Sequence, residues 1–152
     1  DPAARRKCKE RNDRNMTDNE KRALIAEAAG AARRAYAPYS GFSVGAALLL
    51  RDRRVFTGCN IENASYSVTV CAERVALFSA VAQGARDFTA IAVVGSSDGD
   101  FTRPCPPCGV CRQALAEFCD PDSFTVILAD GDEVRELALC ELLPHSFGEQ
   151  LK

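Results

Sequence analysis

Val70-Cys71-Ala72-Glu73-Arg74, running on into Val75, Ala76, Leu77 and Phe78, sets the frame for the whole chain. A cysteine and a glutamate two positions apart, in the opening turn of a predicted helix, bring a metal ligand and a proton carrier to one point. Downstream, Pro107-Cys108-Gly109-Val110-Cys111-Arg112-Gln113 holds two cysteines three apart, the second already in the helical pattern Cys111, Ala114, Leu115, Phe118. A pair so spaced grips one ion from a helix N-terminus. Cys71, Cys108 and Cys111 therefore predict a three-thiolate site for one Zn2+ per chain, with the Glu73 carboxylate beside it. Three protein ligands leave the fourth tetrahedral position open, which separates a catalytic zinc from a structural one.

A closed, structural site needs a fourth ligand, and Cys105 forms a second C-x-x-C with Cys108. The residues between them, Pro106 and Pro107, have no N–H to support a sulfur, whereas Gly109 and Val110 both have one. Cys105 is therefore expected to be dispensable. Three thiolates on a divalent ion carry a net negative charge that weakens it as a Lewis acid. Two helix N-termini and the guanidinium of Arg74 are available to offset it. A first-turn carboxylate such as Glu73 is common for helix-dipole reasons alone; beside an open metal site it becomes the group that moves protons.

The order C-A-E, then P-C-x-x-C, is the three-cysteine form of the zinc deaminase signature, in which activated water attacks an amine-bearing ring carbon. From about Tyr36 to Phe147 the sequence resembles the small homotetrameric cytidine deaminases, through YAPYSGFSVGAALL, GCNIENASY, CAERVAL, PCGVCRQ and ELLPHSFG in that family's order. The resemblance implies a zinc-dependent hydrolase that converts cytidine and 2′-deoxycytidine to uridine and 2′-deoxyuridine with release of ammonia, in pyrimidine salvage. It implies that Glu73 also protonates the pyrimidine ring nitrogen and that Arg74 bonds to ligand thiolates. It places Phe42 and Val44 at the base pocket and Ala72 among the substrate contacts.

Asn60 and Glu62, one residue apart at a strand end, point to one side in extended backbone, and a paired amide and carboxylate suit vicinal hydroxyls. Alone, the stretch reads as a polar turn; with the resemblance it becomes the ribose clamp. The family likeness further implies that Phe147 crosses a subunit boundary to stack on the base in a neighbouring site, and that Tyr66 helps close a neighbour's pocket. Active sites shared within a homotetramer rest on the family alone. His145 is the only histidine, which excludes a histidine-ligand deaminase, and it reads as a surface turn residue.

With 152 residues, 47% hydrophobic and 26% charged, the chain has the length and composition of one globular domain. A net charge of −2 gives no general attraction to phosphate backbones, so no nucleic-acid partner is expected. Its apolar runs fall short of the roughly 20 residues that span a bilayer. With no signal peptide expected, eight cysteines, three of them in a metal-type triad, predict free thiols in a reducing cytoplasm. The first fifteen residues carry six basic and three acidic side chains and almost no large apolar ones. They are expected to be a disordered basic extension before a single catalytic domain over 16–152.

Within that domain, Thr17 and Glu20 form a capping box for a helix whose stripe Leu24, Ile25, Ala28, Ala29, Ala32 and Ala35 ends near Tyr36 and Pro38. A hairpin follows over 44–60, then a helix from Cys71 to Gly84, a strand from Phe88 to Gly95, a loop over 96–107 and a helix from Cys108 to about Cys119. Phe124–Ala129 and Glu133–Leu137 are strands about an Asp130-Gly131 turn, and 138–143 is a closing helical turn. This order predicts an α/β fold, a three-layer α/β/α sandwich about one mixed five-stranded sheet, cytidine-deaminase-like by resemblance. Three other functions compete: a deaminase for a cytosine-containing nucleoside antibiotic, a silent zinc-stabilised interaction module, and a polynucleotide editor. Asn60 and Glu62 argue against the first, Glu73 against the second, and the acidic balance against the third.

Overall fold

Thr17 begins the first helix as expected: its hydroxyl accepts from Glu20 N–H at 3.2 Å, and the Glu20 carboxylate accepts from Thr17 N–H at 2.8 Å. The structure, a computed structural model, describes residues 16–152, so the basic extension expected over 1–15 lies outside the described residues. Helix α1 spans Asp18–Ala32. It stops short of Ala35, contrary to the sequence pattern, because the main chain beyond it is used elsewhere. Tyr36 N–H donates to Asn60 O and Tyr36 O accepts from Glu62 N–H, which pins Tyr36 beside Ile61.

Strands β1 (Ser43–Leu50) and β2 (Val55–Cys59) form an antiparallel hairpin, with Leu49 opposite Val55 and Gly45 opposite Cys59. A short 3₁₀ turn, Tyr66–Val68, leads into α2 (Ala72–Ala82). Gly84, at φ +90°, ends that stretch in a conformation that side-chain-bearing residues rarely adopt. Then come β3 (Phe88–Ser96), α3 (Gly109–Phe118), β4 (Thr125–Asp130), β5 (Glu133–Ala138) and the single turn α4 (Leu139–Leu142). The sheet order is β2-β1-β3-β4-β5, with β3 and β4 parallel and the other neighbours antiparallel, so the sheet is mixed.

Alternation along the central strands feeds two separate cores. Ala46, Leu48, Ile91, Val93, Val126 and Leu128 meet Ala76, Leu77 and Leu115 of α2 and α3 on one face. Ala47, Leu49, Ala92, Val94 and Ile127 meet Leu24, Ala28 and Ala32 of α1 on the other. The three-layer expectation holds. The helices sit close because glycines face them: a Cβ on Gly45 would lie 1.9 Å from Ala28 O, and one on Gly58 2.4 Å from Ala72 O. That close docking on the hairpin sets the height of α2 and of the residues at its start. Among the described residues, no helix is long and apolar enough to cross a membrane.

Candidate active site

Cys71 and Cys108 are the residues immediately before α2 and α3, each with extended backbone (φ −73°, ψ 154° and φ −67°, ψ 165°). Neither sulfur caps its own helix, so both remain available to a ligand while the helix N-termini point at them. Cys111 follows in the first turn of α3 and is fully buried. The Cys71 and Cys108 Sγ atoms are 3.7 Å apart, and all three sulfurs lie within 4.8 Å of one another. Tetrahedral zinc with Zn–S bonds of about 2.3 Å sets its sulfurs ~3.8 Å apart, so the spacing suits that ion.

Glu73 is 4% exposed, and its Oε2 accepts a hydrogen bond from Cys111 Sγ at 3.4 Å. Burial pushes this carboxyl above the usual carboxylate range, and the charge on Cys71 adds to the effect. Hydrogen bonds from Cys111, Arg74 and Cys108 hold the Cys71 thiol down to about 5, against the effect of burial. Cys111 moves the opposite way, because its proton is shared toward the Cys71 sulfur and its site is dry. Arg74 Nη2 donates to Cys71 Sγ at 3.6 Å, while Arg74 Nε is buried without a partner of its own. Burial opposes the guanidinium charge, yet its bonds to Cys71 and Cys111 raise its pKa on balance. The cation thus sits where thiolates would accumulate charge.

Cys105 does not belong to the converging group. Its Sγ and the ring of Phe42 both lie over Gly95, where a Cβ would come within 2.6 Å of the sulfur and 2.7 Å of the ring. Burial, with the charges of Glu73 and Cys71, pushes the Cys105 thiol up to about 11. Cys59, Cys105 and Cys119 are free, as expected, but Cys140 is disulfide-bonded, which corrects the expectation of free thiols throughout.

The Asn60 side chain is 8% exposed and works as a strut: Oδ1 accepts from Val44 N–H and Nδ2 donates to Phe42 O, both at 2.8 Å. It therefore holds the two residues expected at the base pocket, and keeps one donor hydrogen and one lone pair for a ligand. Glu62 Oε1 accepts from the N–H groups of Tyr39 (3.0 Å) and Ser40 (3.1 Å), and hydrogen bonding, led by the Ser40 hydroxyl, holds its carboxyl below the usual range. Glu62 lines a cavity of about 320 Å³ with Tyr39, Ser40, Tyr66 and Thr69. Tyr66 is 77% exposed and stands edge-on to Tyr39, ring centres 6.1 Å apart. Phe147 is 64% exposed and is tied by its carbonyl to Gln113. Ala72 is wholly buried, with its carbonyl oxygen facing Gly58 of the hairpin. His145 is exposed in a turn at φ +57°, consistent with its reading as a surface residue.

Residues 18–127 match the family described as the cytidine and deoxycytidylate deaminase zinc-binding region. The chain belongs to the cytidine and deoxycytidylate deaminase family. A cytidine deaminase from Halalkalibacterium halodurans is 52% identical over 124 residues, 82% of this chain and 91% of that protein. One from Sporosarcina psychrophila is 46% identical over 84% of this chain and 90% of its own length. The crystal structure of cytidine deaminase from Burkholderia pseudomallei is similar with a TM-score of 0.76 and 49% identity, covering 87% of this chain and all of that one.

As a member of this deaminase family the chain is a zinc-binding protein, and the donor set fits the ion: three sulfurs of suitable spacing, one of them acidic, beside the partly buried guanidinium of Arg74. Cys71, Cys108 and Cys111 would hold the zinc. Sequence reasoning did not single out Tyr39 and Ser40, which contribute main-chain N–H groups to Glu62, or Thr69, which follows the Tyr66–Val68 turn. It also passed over Arg112 and Gln113, although both directly follow the second C-x-x-C.

Proposed function

We propose that this chain deaminates cytidine and 2′-deoxycytidine hydrolytically, giving uridine and 2′-deoxyuridine and releasing ammonia. The observation that carries the reading is the juxtaposition of a buried carboxyl, Glu73, with three converging thiols at two helix N-termini. Zinc, when bound, supplies a Lewis acid that makes water nucleophilic at neutral pH. Glu73 takes one proton from the attacking water and passes it to the ring nitrogen, then takes the remaining proton from the added oxygen and delivers it to the leaving amine. Its buried position keeps those transfers away from bulk water. Arg74 tempers the charge of the thiolates. Phe42 and Val44, braced by Asn60, form the wall against the base, with Ala72 offering main chain. Asn60 and Glu62 bind the ribose hydroxyls.

The same reading extends to assembly. Tyr66 and Phe147 are large, aromatic and mostly exposed in one chain, which supports a homotetramer whose subunits complete each other's sites. A cytoplasmic location is supported by the need of the triad for reduced sulfurs, while the bonded Cys140 weighs on the other side. We read 16–152 as one catalytic domain, since all its strands share one sheet.

The test follows the ultraviolet absorbance of cytidine as purified protein is added, with and without a strong chelator, for the parent and Glu73→Gln. The parent should convert cytidine only without chelator. Glu73→Gln should retain zinc and lose about 10²- to 10⁴-fold in turnover. No spectral change with the zinc-loaded parent would leave a silent zinc module in place of an enzyme.

A further inference from the structure

Arg112 and Gln113, directly after the last cysteine of the triad, both turn their side chains onto main-chain oxygens. Arg112 Nε donates to Pro107 O and Nη1 donates to Leu142 O, each at 2.7 Å. Gln113 Nε2 donates to Phe147 O at 3.0 Å. Pro107 immediately precedes Cys108, and Leu142 ends α4, whose first turn is held by Ala138 N–H donating to Glu141 Oε2 at 2.6 Å. The segment 139–147 is therefore hung from α3 at two points, from the same turn that carries Cys111. Between those points the chain turns through His145 at φ +57°. The Phe147 ring itself is mostly exposed, so its carbonyl is where the fold grips this residue.

We propose that Gln113 is a positioning residue for the reaction, fixing the place from which Phe147 reaches the base and tying that place to the metal-binding turn. The proposal rests on the reading of Phe147 as a base contact, in its own site or a neighbour's. Gln113 need not touch the nucleoside. Without its hydrogen bond the Phe147 segment samples more positions, and binding must remove that freedom, so affinity falls while the chemistry at the metal is unchanged.

The experiment uses the zinc-loaded full chain and four variants: Gln113→Met, Phe147→Ala, the two combined, and Gln113→Lys. Methionine keeps the length of glutamine without its donor, and lysine restores a donor of similar reach. Gln113→Met should retain zinc and kcat and raise KM for cytidine about five-fold, the size of one net hydrogen bond. The combined variant should be no worse than Phe147→Ala, because Gln113 acts only through that ring. Gln113→Lys should recover part of the lost KM. An unchanged KM in Gln113→Met, loss of its zinc, no recovery with lysine, or effects that multiply in the combined variant would each overturn the proposal. Failure of the underlying reading shows separately, as an unchanged KM in Phe147→Ala alone.

Discussion

Cys105 and Cys108 frame two prolines and look alike in the sequence, but the fold gives them opposite surroundings. Cys108 faces Cys71 across 3.7 Å, whereas Cys105 packs over Gly95 with a thiol pushed up to about 11. Serine at Cys71, Cys108 or Cys111 should therefore remove zinc and activity together, and Cys105→Ser should keep both. Metal analysis of the four purified variants decides this; loss of zinc from Cys105→Ser would reassign the ligands. Glu62 allows a second residue-level test, because a carboxylate that bonds ribose hydroxyls finds no such partner on a free base. Cytosine should be a very poor substrate. Glu62→Gln should reduce kcat/KM for cytidine far more than for cytosine. Equal losses on the two substrates would leave Glu62 as the brace of Tyr39 and Ser40 alone.

The loop between β3 and α3 carries the triad's second half into place, and Asp98 organises it. One carboxylate oxygen accepts from Ser96 Oγ at 2.7 Å and Asp100 N–H at 3.0 Å, and the other from Arg103 Nη2 at 2.7 Å. These bonds, Ser96 foremost, depress the Asp98 pKa from 3.8 to about 2. A group depressed in the folded state stabilises it fully above the unfolded value and loses that contribution as pH falls through the folded one. The Tm difference between parent and Asp98→Asn should therefore be complete at neutral pH and close between about pH 4 and pH 2. A difference that stayed constant over that interval would remove Asp98 from the loop's stability. At this scale most elements were legible, since capping boxes, apolar runs and Gly84 are local signals. The end of α1 was not, because Tyr36 N–H donating to Asn60 O and Glu62 N–H donating to Tyr36 O decide it. The Asn60 bonds to Phe42 and Val44 were hidden for the same reason, as was the Tyr66–Val68 turn, too short to show a period. The triad was legible because metal ligands and their spacing leave a chemical signature that ordinary packing does not.

For the whole molecule, assembly can be tested by complementation. Phe147→Ala chains should raise KM for cytidine, on the order of 5- to 150-fold if stacking on the base is lost. Mixed with Glu73→Gln chains under subunit exchange, they should regain activity above the sum of the parts, because intact chemistry in one chain would meet an intact ring from another. Simple additivity would place the ring in its own subunit. One further consequence belongs to the chain as a polymer. Cys71 and Cys108 stand 37 residues apart in sequence with their sulfurs 3.7 Å apart. An ion held by both is a cross-link that closes a ring through all of α2 and β3. Chain-entropy arguments value a covalent tie of that span at about 4 kcal/mol, a large share of the 5–15 kcal/mol that typically separates folded from unfolded states. Stripping the metal should therefore lower Tm markedly and let amide hydrogens of α2 and α3 exchange sooner than those of α1, so that inactivation by a chelator is also a loosening of one half of the fold.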